Sequence, residues 1–318
     1  MAFTLYTYTD SGAPTLNGFS GSLINVLNAV LLNGYGAKPA AGWLTSSLAT
    51  APYQAVYQQG SGSSGHYMFV VDNTTYSNEA YITGIRSLTT INTGSATGSW
   101  QFPTYSQLGI GSGAVVCRKS NGANVTAKPW YIYADSRTMY MFVPTGDNGS
   151  SYYAWMFGDF YSYKSGSADN YRCMIVGRNG INTGTNTNDS LDRINNTLSS
   201  QTQAHWASAN LGGSQTSQAI NVHGDGVKGN NSYLYGSVPF LNGSDSGMYL
   251  SPLFVVDDNS TIRGVMRGFY QILHSNPFPD TFFVSGSGAY AGRNFQVVQP
   301  TANGGTYFIE ISDTLLTN

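Results

Sequence analysis

The sequence predicts a mainly β protein, with antiparallel, sandwich-like sheets and one short amphipathic helix near the N-terminus. Three observations predict it. Short runs of aromatic and β-branched residues recur along the chain, bounded by Gly, Asn, Ser and Thr. Only one segment carries a convincing helical period. No unit of roughly 20 to 50 residues repeats, which excludes a solenoid or propeller.

The helix is expected over residues 20–33. Leu23, Val26, Leu27, Val30 and Leu31 fall on one stripe, the spacing that buries one helical face. Ser20 or Ser22 is placed to cap its first turn, and Gly34 stands where a left-handed residue ends a helix. Asn25 and Asn28 mark the outer face. The absence of basic residues argues against a membrane-surface helix.

Strands are expected at Phe3–Thr9, Tyr53–Gln58, His66–Asp72 and Glu79–Arg86. Trp130–Ala134 and Thr138–Val143 flank Asp135-Ser136-Arg137 and read as a hairpin. Tyr152–Tyr163 is a long aromatic run broken at Gly158-Asp159, the mark of a bulge or turn. Tyr171–Gly177 follows. Asn, Thr, Ser and Gln then dominate as far as Thr216, with a weak helical pattern over residues 189–199. The last hundred residues return to hairpins: Leu253–Val256 with Ile262–Met266, and Phe295–Gln299 with Thr306–Ile311. The expected division is a β-rich region over 1–178, a polar insertion or linker over 179–218, and a C-terminal hairpin region over 219–318.

The composition narrows function. The 15 Phe, 5 Trp and 23 Tyr outnumber the 14 Lys+Arg and 16 Asp+Glu of this 318-residue chain. Disordered chains show the opposite balance. Cations that are offset by anions supply no basic face for nucleic acid. Apolar runs such as Tyr67–Val71 are far short of a bilayer span. Such a surface, neutral, polar and rich in rings, resembles the core of a protein–protein interface, so the expected partners include copies of the chain itself. Cys117 and Cys173 are too few for a disulfide framework and are expected as buried free thiols. The first residues show no secretory signal, so a reducing cytoplasm is the expected place of folding.

Chemical motifs are weak. His66, His205, His223 and His274 show no metal-binding spacing. His223-Gly224-Asp225 is the most suggestive local group, but a polar turn explains it. There is no nucleophile elbow and no phosphate-binding loop of the Walker type. Gly109–Ala114 and Gly286–Ala291 mimic a dinucleotide fingerprint, yet each runs into a strand where the motif requires a helix N-terminus. Asp147, Asp159, Asp169 and the pair Asp257-Asp258 are the acids considered for glycoside chemistry; the pair sits in a hairpin turn, where Asp is favoured for local reasons. Trp130–Tyr133 and Tyr152–Trp155 are weighed as sugar platforms, with core or subunit contact preferred. The expectation is therefore no catalytic, cofactor-binding or metal-binding residues and no cofactor.

Several segments taken together carry a resemblance. They are LLNGYGAKPAAGW (Leu31–Trp43), PWYIYADSRTMYMFV (Pro129–Val143), MFGDFYSY (Met156–Tyr163) and YRCMIVGR (Tyr171–Arg178). His223-Gly224-Asp225, GMYLSPLFV (Gly247–Val255), the Arg267-Gly268 segment and GGTYFIEISDT (Gly304–Thr314) complete them. Their order resembles a family of virion structural proteins of tailed bacteriophages, over most of the chain and least in the polar middle. The resemblance implies a non-enzymatic particle component, made in the bacterial cytoplasm and assembled without secretion. It implies other virion proteins as partners, at the head or the head–tail junction as decoration, neck or collar. The alternative is a tail or baseplate module that recognises host surface glycan. Neither nucleic acid nor membrane is expected as a partner, and the resemblance carries over no site residue.

Overall fold

The computed structural model describes residues 3–48, 53–72, 78–92, 95–102, 115–144, 152–164, 169, 171–179, 202–206, 216–221, 250–256, 262–272, 281–298 and 306–311. The chain is mainly β, with antiparallel sheets and one short helical segment near the N-terminus.

Strand β1 (Thr4–Thr7) leads to helix α1 (Ser22–Leu27). The first extended stretch then holds β2 (Leu44–Leu48), β3 (Gln54–Gln58), β4 (Tyr67–Val71), β5 (Glu79–Asn92), β6 (Ser95–Phe102) and β7 (Val115–Arg118). It is followed by β8 (Tyr131–Ala134), β9 (Thr138–Pro144), β10 (Tyr152–Asp159), β11 (Tyr161–Ser162) and β12 (Cys173–Asn179). The remaining strands are β13 (Thr202–Trp206), β14 (Thr216–Asn221), β15 (Ser251–Val256), β16 (Ile262–Ile272), β17 (Phe283–Ser285), β18 (Asn294–Val298) and β19 (Thr306–Ile311).

The expected helix forms, but in two parts. Only Ser22–Leu27 is α-helical, and Asn28–Asn33 continues as a wider π turn. There the Gly34 N–H reaches back five residues to the Ala29 carbonyl at 2.7 Å. The exit chain supplies donors that a helix end lacks: Ala41 N–H bonds the Val30 carbonyl and Trp43 N–H that of Leu31. The cap also differs from expectation. Gly21 is the N-cap and no local hydroxyl serves the first turn. Ser22 Oγ instead donates backwards, to the carbonyls of Asn17 and Phe19. The first-turn N–H groups of Leu23 and Ile24 donate to Asp72 Oδ2, a side chain 49 residues from Leu23. Asp72 in turn contacts Lys119, and both side chains are wholly buried.

The strands form two sheets. The larger runs β2–β3–β4–β5–β7–β12–β10–β9–β8–β1, with β6 beside β5 and β13 beside β12. The smaller runs β14–β15–β16–β19–β18–β17, with β11 added to β16. Pairing of β13 with β14, and a parallel bridge of Phe3 to Ile311, tie the two together. The polar stretch after Asn179 thus contributes two strands to this seam.

The stretch β8–β9–β10–β12 is covered on both faces. On β9, Met139, Met141 and Val143 enter a core shared with α1, while Tyr140 and Phe142 enter a second core against β15, β16 and β19. This explains why Thr138–Val143 is buried at every position instead of alternating between core and solvent. It also bears on the runs weighed as sugar platforms, of which Tyr131 is only partly buried and the Tyr152 side chain is not described. Trp130, Tyr133, Tyr153 and Trp155 are all buried, so they are core residues. Tyr140 Oη donates to the Arg267 carbonyl at 2.9 Å and Tyr133 Oη bonds Gln296, so each buried hydroxyl also stitches the two sheets.

Candidate functional site

The break expected at Gly158-Asp159 is the point where the chain leaves one sheet for the other. Gly158 has φ +139°, and a Cβ there would lie 2.4 Å from the Arg137 carbonyl oxygen. Only glycine therefore lets β10 end this close to the β8–β9 turn. Asp159 follows at 1% exposure, and β11 then joins the smaller sheet.

A charged cluster assembles around this crossing. Asp159 accepts from Arg172 Nε (2.7 Å), Ser64 N (2.8 Å), Ser64 Oγ (2.5 Å) and Gln59 Nε2 (3.0 Å). Asp135 closes its own turn by accepting from the N–H groups of Arg137 and Thr138, the local bonding that favours Asp in turns. Both its oxygens are also gripped by Arg267, at 3.0 and 2.5 Å. Asp169 accepts from Ser162 Oγ (2.7 Å), Tyr171 N (3.1 Å) and Arg263 (3.1 Å). Each carboxylate therefore has its own arginine, with the additional hydrogen bonds a part-buried charge requires.

Beside this cluster lies a cleft of about 290 Å³, lined among others by Gly62, Arg137, Asp159, Tyr161, Lys164 and Arg172. Arg172 donates to the Gly62 carbonyl at 3.0 Å. The Arg137 guanidinium lies so close to the Gly62 backbone that a Cβ there would sit 2.4 Å from its terminal nitrogen. Tyr161 and Tyr163 stand at this end with 51% and 53% exposure, and their rings meet edge to face at 6.2 Å.

His66, Ser64 and Asp159 form a chain, but in an order unsuited to nucleophilic catalysis. His66 Nδ1 lies 2.8 Å from Ser64 Oγ, and that hydroxyl lies 2.5 Å from Asp159 Oδ1. The charged carboxylate is the stronger acceptor and takes the hydroxyl proton. The imidazole is left to donate to serine, whereas a triad base must accept from it. Burial pushes His66 down to about 4, so it is neutral at pH 7. Its folded value lies below the unfolded one, so its contribution to stability is complete above pH 6.5 and is lost as pH falls towards 4. The expected loss over that window is about 3 kcal/mol. Urea titrations at pH 7 and 4.5 should show it, and His66→Gln should flatten the difference.

Cys117 and Cys173 are free and buried, as expected. Burial pushes the Cys117 thiol up to about 12 and that of Cys173 well above its ordinary value, which leaves both unreactive. Among the described residues no group of three His, Cys, Asp or Glu is placed to hold a metal ion, and no helix is long and apolar enough to cross a membrane. Within Gly286–Ala291 a single 3₁₀ turn (Gly288–Tyr290) lies between β17 and β18, so no helix N-terminus follows the motif. His223-Gly224-Asp225, His274, Asp147, Asp257-Asp258, Gly109–Ala114 and the segment 189–199 lie outside the described residues. For His205, on β13, only the backbone is described.

Sequence reasoning singled out Asp159 and Asp169, and the structure brings them to the same cleft. It missed Arg137, Lys164, Arg172 and Tyr161. The available signal was local: in a chain so poor in charge, Asp135, Arg137, Asp159, Lys164, Asp169 and Arg172 crowd into one short stretch. Comparison with family models and with curated proteins returned no match.

Proposed function

We propose that the chain is a non-enzymatic structural subunit of a tailed-bacteriophage particle, at the head or the head–tail junction. It assembles in the host cytoplasm by packing against copies of itself and other virion proteins. The observation that carries this reading is the contrast between interior and surface. The carboxylates of the cleft are locked to arginines, while Tyr8, Phe19, Leu44, Tyr53 and Val125 stand exposed on a chain with little charge to keep copies apart. A surface with so few charges does little to hold copies apart and favours association. Sizing with light scattering should give a defined ring or small oligomer, and a particle reconstruction should place the chain among other shell or neck proteins. A concentration-independent monomer that is absent from particles would refute the proposal.

A second reading, a host-recognition module at the tail or baseplate, is favoured by one observation: two exposed tyrosines stand at a polar cleft. It predicts that the purified protein binds host cells or their surface polysaccharide.

A further inference from the structure

Among the described residues, the cleft holds more positive charge than its ion pairs use. Asp159 pairs with Arg172, Asp169 with Arg263, and Asp135 with Arg267. Arg137 and Lys164 also line the cleft, and among the described residues neither side chain has a carboxylate partner. The sequence between Lys164 and Asp169 is Ser-Gly-Ser-Ala, which contains none. Two surplus cations at one small cleft, in a chain of net charge −2, call for an anion. The Arg137 guanidinium lies against the Gly62 backbone at the cleft wall. A guanidinium presents two parallel donors, which match a carboxylate.

We infer that this cleft is a subsite for an acidic sugar, a pyranose bearing a carboxylate that Arg137 and Lys164 bind while Tyr161 covers the ring. The volume of about 290 Å³ sits at the lower end of the roughly 300–1,000 Å³ found for ligand pockets, which suits one ring and not an extended peptide. Tyr161 supplies an exposed aromatic face for the ring's C–H groups, and Tyr163 braces it edge-on. Asp159 has both oxygens fully engaged, whereas Asp169 accepts three hydrogen bonds and keeps one lone pair for a sugar hydroxyl. The inference rests on the glycan-binding reading above and adds to it the place and the charge of the ligand.

The test is ligand-observed NMR on the full chain with sodium glucuronate, glucose and inorganic phosphate as separate probes. Glucuronate should bind, and glucose should bind at least about tenfold more weakly, because a charge-assisted bidentate contact is worth that much. Arg137→Ala and Lys164→Ala, checked for folding by circular dichroism, should each weaken glucuronate by about tenfold. Tyr161→Ala should weaken glucuronate but leave phosphate unchanged. Equal binding of phosphate and glucuronate, indifferent to Tyr161→Ala, would reduce the cleft to a general anion site and overturn the inference. So would preferential binding of an oligo-aspartate peptide. Host-cell binding that Arg137→Ala leaves intact would overturn the inference while the glycan reading stood. No binding to cells, polysaccharide or glucuronate would overturn both.

Discussion

Asp72→Ala is expected to cost about 3–5 kcal/mol, the range for removing one member of a buried ion pair. Asp72 and Lys119 are both at 0% exposure and in direct contact. The Lys119 ammonium has a second acceptor, the Phe19 carbonyl at 2.7 Å, and among the described residues Asp72 is the carboxylate it pairs with. Removing Asp72 strands that charge in the core. It also strips the acceptor from the first-turn N–H groups of Leu23 and Ile24, where loss of a cap alone costs about 1 kcal/mol. Burial pushes the Asp72 carboxyl up to about 6, against the pull of Lys119 and the helix N–H groups, so desolvation is the dominant influence on this group. It follows that Asp72→Leu combined with Lys119→Met should cost much less than the two single changes added together, because no orphaned charge remains. Urea unfolding of the two singles and the double at pH 7 measures this coupling. A loss below about 0.5 kcal/mol in Asp72→Ala, typical of surface changes, would refute the buried pair.

The β-rich class, the helix position and most strand positions are legible because they depend on local patterns. The β8–β9 hairpin follows from Asp135-Ser136-Arg137, whose Asp closes the turn through its own neighbours. The break at Gly158-Asp159 is visible as a glycine inside an apolar run. What the sequence conceals is what lies above and below each strand. The aromatic runs around Trp130 and Trp155 look too rich for a half-exposed sheet. They make sense only once α1 covers one face and β15, β16 and β19 the other. The capping of α1 is hidden for a similar reason. A serine beside the first turn is the local solution, and the fold uses an aspartate from the end of β4 instead.

The cleft was concealed more deeply. Its contacts join Ser64 to Asp159 across 95 residues, Gly62 to Arg172 across 110, and Asp135 to Arg267 across 132. No motif spans such separations. Asp159 and Asp169 were visible only as single acids, and their chemistry depends on the arginines that fold onto them.

Leu27→Asp is expected to abolish folding. Leu27 is at 0% exposure, in the core that joins α1 to the larger sheet. Removing its side chain, as in Leu27→Ala, should cost about 2–5 kcal/mol. A carboxylate at the same place adds desolvation on top of that loss, a further few kcal/mol even if the group takes up a proton. Two costs of that size reach the about 5–15 kcal/mol by which whole domains are stable. Asn25 provides the control, because it is exposed on the same helix; Asn25→Asp should change stability by less than about 0.5 kcal/mol. Expression and circular dichroism of the three variants should give a folded Asn25→Asp, a weakened Leu27→Ala and an insoluble or unfolded Leu27→Asp. A soluble, folded Leu27→Asp would mean that this face of α1 meets water, and the inner core described here would then be wrong.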